Sequence, residues 1–280
     1  KSIRFLKYSK HSYLVNGNAG FVTSVIDSIE GECRRQNFNL VMTSFTEKEL
    51  NEISEMVRND PLDGIIFLGT EFETKYLHYF DRLNVPLIFV DNRMELEKYD
   101  SVTMDNSSSV YRAVEYLVNQ GHKKIGYLYN TLPSSNCRER MEAFTRSMRI
   151  LLPSSEPACI YQVPPTTAAS YEHICKLLQE KTIFPSALLA TNDSIALGAM
   201  KAFKEFGIQI PEDIALVGFD DIEASSISDP PLTTLRVNCN DMGVWTVQLL
   251  CARMQNPLTS VTKIQVGTKL IIRKSTEILP

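Results

Sequence analysis

Short, almost wholly apolar runs alternate with amphipathic stretches along this chain, and the alternation runs through twice. In the first pass, residues 3–7, 38–42, 63–68, 86–91 and 101–104 read as strands. Between them, Val22, Val25, Ile26 and Ile29, then Leu50, Ile53, Met56 and Val57, recur at helical spacing. Phe72, Tyr76, Tyr79, Phe80 and Leu83 predict a third helix over 72–83, and Gly121 stops a fourth over 107–120. In the second pass, strands at 124–129, 159–162, 186–190 and 214–219 alternate with helices at 138–151, 167–181 and 192–206. A helix at 241–254 and an extended run at 262–273 close the chain. Strands that are apolar throughout are covered on both faces, as in parallel sheets. Two such runs predict an α/β chain of two doubly wound parallel-sheet domains.

The chain has 280 residues, 44% hydrophobic and 22% charged, with a net charge of −4. That length suits two α/β cores rather than one. No apolar run approaches the roughly 20 residues that span a bilayer, and the first residues lack the apolar core of a secretory signal. A net negative chain has no whole-molecule attraction for nucleic acid. The six cysteines show no Cys-x-x-Cys spacing and read as reduced thiols of a cytoplasmic protein, and the four histidines show no metal-ligand spacing. Phosphate-binding glycine loops, a Gly-x-Ser-x-Gly elbow and a His-Glu-x-x-His pair are all missing from the sequence. The reading is therefore a binding protein, not an enzyme, with no cofactor.

Polar residues accumulate just after strands. Asp91, Asp105, Asn192 and Asp220 each follow a predicted strand, and Arg138 and Arg140 follow the strand at 124–129. Ligands of open α/β sheets sit beyond the carboxyl ends of the strands. Asp220, which ends the run Ile214–Ala215–Leu216–Val217–Gly218–Phe219, stands at such a place, although capping of the next helix reads equally well. Carboxylates, an amide and guanidinium groups gathered in one cleft suit a hydroxyl-rich small molecule.

Ala190-Thr-Asn-Asp-Ser-Ile-Ala-Leu-Gly-Ala-Met-Lys-Ala-Phe203, Gly207-Ile-Gln-Ile-Pro-Glu-Asp-Ile-Ala-Leu-Val-Gly-Phe-Asp-Asp221 and Pro230-Pro-Leu-Thr-Thr-Leu-Arg236 resemble the lactose-repressor/galactose-repressor family of bacterial transcription regulators. Asp105-Asn106, Gly121-His122 and Arg138-Glu-Arg-Met-Glu-Ala-Phe144 fit the same pattern. The resemblance implies two periplasmic-binding-protein-like domains joined by three crossovers: residues 1–120 plus 239–263, and residues 121–238 plus 264–280. It also implies a small-molecule effector, a sugar or sugar derivative, held by Tyr8, Asp105, Arg140, Asn192 and Asp220, with Lys10 or Tyr13 as further candidates. A lysine there suits an acidic or phosphorylated sugar. Cys239 stands where family members often carry an aromatic residue, so a stacking platform is not expected there. The family's helix-turn-helix would precede residue 1, and the partners implied are operator DNA and a second copy in a homodimer. Two other readings stay open: a sugar-binding protein of a transport system, and an enzyme of the same two-domain shape.

Overall fold

The computed structural model describes residues 1–11, 19–60, 62–81, 83–132, 134–154 and 159–277; Tyr13 lies outside them. In chain order the elements are β1 (Ser2–Ser9), α1 (Ala19–Arg35), β2 (Asn39–Thr46), α2 (Ile53–Asn59), β3 (Gly64–Leu68), β4 (Leu87–Val90) and β5 (Asp100–Met104). Next come α3 (Asn106–Asn119), β6 (Ile125–Asn130), α4 (Ser135–Leu151), β7 (Cys159–Val163), α5 (Thr167–Gln179), β8 (Ala187–Ala190) and α6 (Asp193–Glu205). The last are β9 (Ala215–Asp220), α7 (Glu223–Ile227), β10 (Thr233–Val237), α8 (Cys239–Gln255), β11 (Lys263–Val266) and β12 (Thr268–Ile271).

These elements form two compact units. The first holds Lys1–Met104, Ser134–Asn136 and Asn238–Val266; the second holds Asp105–Pro133, Cys137–Val237 and Gly267–Pro280. The first unit's sheet runs β11-β5-β4-β3-β1-β2, all parallel. The second unit's sheet repeats the order as β12-β10-β9-β8-β6-β7, parallel except that β12 runs antiparallel to β10. The fold is thus α/β of the doubly wound kind, as the alternation predicts. β3, β4, β8 and β9 are buried along their whole length, which is why they read as unbroken apolar runs.

Small residues set the helix packing within each unit. A Cβ at Gly243 of α8 would collide with Ser28 of α1, and the Ser28 hydroxyl donates to the Asn240 carbonyl at 2.7 Å. In the second unit a Cβ at Gly198 of α6 would strike the Thr167 carbonyl and Ser170 of α5.

Three expectations change. The helix expected over 72–83 is a 3-10 segment at Thr74–Tyr79. Its aromatic spacing serves a ring cluster instead: Phe72 and Phe80 pack against Phe67 and Phe89 from β3 and β4. The extended run at 262–273 divides at Gly267, with β11 completing the first sheet and β12 the second. Finally, α3 falls in the second unit although the expected boundary lay at residue 120. Its Ser109 and Tyr116 hydroxyls bond Thr268 and Thr276 at 2.6 and 3.0 Å. Among the described residues no helix is long and apolar enough to cross a membrane, and no two of the six cysteines are joined in a disulfide.

Candidate functional site

The second unit gathers its polar strand ends around one side chain. Arg140 leaves the inner face of α4 and is only 5% exposed. Its Nε–H donates to Asn106 Oδ1 at 2.8 Å, at the start of α3, and Nη1 donates to the Thr191 carbonyl at 2.7 Å, just beyond β8. The guanidinium carbon lies 3.5 Å from the ring centre of Phe219, the penultimate residue of β9. Nη2 faces Asp220 Oδ1 at 3.7 Å, an ion pair whose side chains are 6% and 2% exposed. A guanidinium offers five N–H groups in a rigid fork. Two bonds and a stacked ring fix its plane, and Nη2 is the nitrogen that faces Asp220.

The neighbours of Arg140 are held in turn. Asn106 donates its amide to Glu139 Oε2 at 2.8 Å, which fixes which amide atom faces the guanidinium. The Thr191 hydroxyl donates to the Leu128 carbonyl at 2.9 Å and accepts from Asn130 N at 3.1 Å. Asn192 caps α6: its Oδ1 accepts from Ile195 N at 3.0 Å. Asp105 caps α3 in the same manner, accepting from Ser108 N at 2.9 Å. The capping reading kept open for Asp220 belongs to Asp105 and Asn192 instead; the short helix that follows β9 has Ile222 at its cap.

Asp220 and Asp221 both sit at positive φ, 112° and 58°. Such backbone costs roughly 1–2 kcal/mol per non-glycine residue, so the turn after β9 needs anchors. Asp221 is gripped by Arg236 at 2.5 Å and Arg273 at 2.7 Å. Ile222 N–H donates to Asp193 Oδ2 at 3.0 Å.

Of the five residues expected at the site, Arg140 and Asp220 pair directly, while Asp105 and Asn192 adjoin the Asn106 and Thr191 groups that Arg140 binds. Tyr8 belongs to the first unit, where it has no exposed surface. Its ring packs against Phe45, Phe67 and Phe72, and burial, followed by Glu47, raises its phenol well above the usual value. Its hydroxyl has no hydrogen-bond partner. The Tyr8 ring thus belongs to the first unit's aromatic cluster. Lys10 is likewise committed: its Nζ pairs with Glu73 and, at 3.3 Å, with Glu47. Sequence reasoning gave no role to Asn106, Glu139, Thr191, Asp193 or Phe219. The available signal was adjacency, since each is next to an expected residue.

Residues 114–276 match the family described as periplasmic binding protein-like domain. A curated relative, the HTH-type transcriptional repressor PurR of Pasteurella multocida (strain Pm70), is 29% identical over 266 residues, covering 94% of this chain and 79% of that protein. The structure of a transcriptional regulator CelR–cellobiose complex aligns with a TM-score of 0.85 at 19% identity, over 98% of this chain and 84% of that one. A dimeric lac repressor aligns with a TM-score of 0.84 at 23% identity, over 99% of both chains. At such identities the two structural likenesses establish the fold.

Proposed function

Because this chain belongs to the periplasmic-binding-protein-like family, as an effector-binding core of the lactose-repressor/galactose-repressor type, we propose that its second unit takes up a small, uncharged, hydroxyl-rich effector. Arg140, Asp220 and Asn192 would grip it, with Asp105 as a further acceptor. The observation that carries this reading is the Arg140–Asp220 pair, buried at the carboxyl ends of a parallel sheet and fixed in plane by Asn106, Thr191 and Phe219. A carboxylate accepts from two vicinal hydroxyls while an adjacent guanidinium donates to their oxygens, a pattern that polyols satisfy. Charged hydrogen bonds contribute roughly 1.5–3 kcal/mol each. Three or four of them, less the ordering cost, give a micromolar to millimolar ligand.

The charge balance favours a neutral molecule. Asp220 offsets the Arg140 cation and Asp105 adds a negative charge, while Lys10, which would have suited a phosphate, is paired with Glu47 and Glu73. The cellobiose of the structural relative supports a sugar or sugar derivative. In this reading the effector alters affinity for operator DNA, and the protein acts as a repressor and a homodimer. The repressor relative and the dimeric lac repressor support those two points.

Isothermal calorimetry against neutral sugars, their phosphates and purine bases tests the ligand class. Neutral sugars are expected to bind and their phosphates to bind at least tenfold more weakly. Tighter binding of the phosphates, or binding of purine bases alone, contradicts the proposal.

A further inference from the structure

Asp193, the first residue of α6, is fully buried, yet its carboxylate takes no part in the grip just described. It collects three donors from three places. Oδ1 accepts from the Thr234 hydroxyl of β10 at 2.6 Å. Oδ2 accepts from the Ser225 hydroxyl of α7 at 2.7 Å and from Ile222 N–H at 3.0 Å. The strand that leads to Asp220 makes room for it: a Cβ at Gly218 would collide with Asp193 Oδ1. The glycine in the Val217-Gly218-Phe219 run is thus required by a carboxylate lying against the strand, two residues before Asp220.

We propose that Asp193 is a positioning residue of the effector site, clamping the turn after β9 so that Asp220 is held against Arg140. The clamp acts on a turn whose two aspartates are held at positive φ. It fixes Ile222 on one side of that turn, Thr234 of the neighbouring strand, and Ser225 of the helix that follows. The proposal rests on the site reading above for its consequence, but the clamp itself needs no ligand to be tested.

The surroundings also give Asp193 an unusual acid strength. Burial first, and the Asp220 charge second, raise its carboxyl to about 7, against the opposing bonds from Thr234, Ser225 and Ile222. Of the elements packed against it, β9 presents the Asp220 carboxylate, β10 and α7 present the hydroxyls of Thr234 and Ser225, and Arg140 of α4 pairs with Asp220. Ligand hydroxyls that donate to Asp220 would disperse its charge and ease the ionisation of Asp193. Effector affinity should therefore rise severalfold between pH 6 and 8.

The test combines crystal structures of the wild-type protein and three variants with calorimetry on D-ribose, D-glucose and cellobiose. In Asp193→Ala, the turn is expected to shift so that Asp220 Oδ1 leaves the 4 Å reach of Arg140 Nη2. Asp193→Asn, which keeps an acceptor and a donor in place, should restore the pair and abolish the pH dependence. Should Asp193→Ala fail to fold, Ser225→Ala removes one arm of the clamp and should displace Ile222 and Asp220 together. A purely structural aspartate would lower thermal stability and leave the Asp220–Arg140 separation unchanged in every variant, and that result overturns the proposal. Arg140→Ala tests the site separately. If it leaves sugar affinity intact the site reading fails, whatever the Asp193 structures show.

Discussion

β4 in the first unit and β9 in the second hold the same place in two sheets of identical strand order, and an aspartate at positive φ stands at the carboxyl end of each, Asp91 just after β4 and Asp220 as the last residue of β9. Their partners differ. The Asp91 carboxylate accepts from the Thr70 hydroxyl and from the Asn136 amide at 2.7 Å. Asp220 faces a guanidinium that is stacked, oriented and only partly used. One fold position thus meets a hydroxyl and an amide in one unit and a stacked guanidinium in the other, and the proposed grip rests on that difference. The first unit's interior shows the same bias: around Tyr8 it builds an aromatic cluster from Phe45, Phe67, Phe72, Phe80 and Phe89.

The largest expected effect comes from Asp220→Ala set against Asp91→Ala. The first should weaken sugar binding by about 100-fold, by removing an acceptor and leaving Arg140 without its counter-charge. The second should lower unfolding stability by about 2 kcal/mol, since Thr70 and Asn136 lose their acceptor, with sugar affinity within twofold of wild type. Calorimetry and denaturant unfolding read both, and a swapped pattern breaks the comparison.

A comparable effect is expected in the pH dependence of the second unit's stability. The Asp193 carboxyl is raised from 3.8 to about 7, so the fold favours its protonated form. That contribution is complete below pH 4 and is lost as the pH rises through 7. A shift of about three units is worth at most about 4 kcal/mol. Wild-type stability should therefore decline between pH 5 and 8 by a margin that Asp193→Asn does not show. Equal slopes for the two proteins would sink the point.

The smallest effect is expected in the first unit. Tyr8→Phe removes a buried hydroxyl that has no partner. Stability should hold or rise by about 1 kcal/mol, and sugar affinity should change less than twofold. A tenfold loss of affinity would instead make Tyr8 a ligand contact.

Much of this was legible in the sequence, for a physical reason. Strands such as 63–68 and 214–219 are buried on both faces, so their apolar runs announce them, and the structure places β3 and β9 within a residue or two. The Phe72–Leu83 stretch misled because rings at spacings of three and four satisfy a strand-facing aromatic cluster as well as a helix. The split at Gly267 was invisible, because extended backbone carries no mark of which sheet it joins. At the candidate site, position after a strand pointed to Asp105, Asn192 and Asp220. It could not reveal Glu139 holding Asn106, Thr191 lending a backbone carbonyl, or Phe219 lying under the guanidinium. Periodicity records burial and says nothing of which polar atoms meet.

The most direct measurement is a calorimetric titration of the wild-type protein, Arg140→Lys and Arg140→Ala with the same neutral sugars. Lysine keeps the charge but loses the planar fork that Asn106, Thr191 and Phe219 orient. The predicted result is binding in the micromolar to millimolar range by the wild type and a loss of at least 100-fold in both variants. Equal affinity across the three proteins would contradict the site.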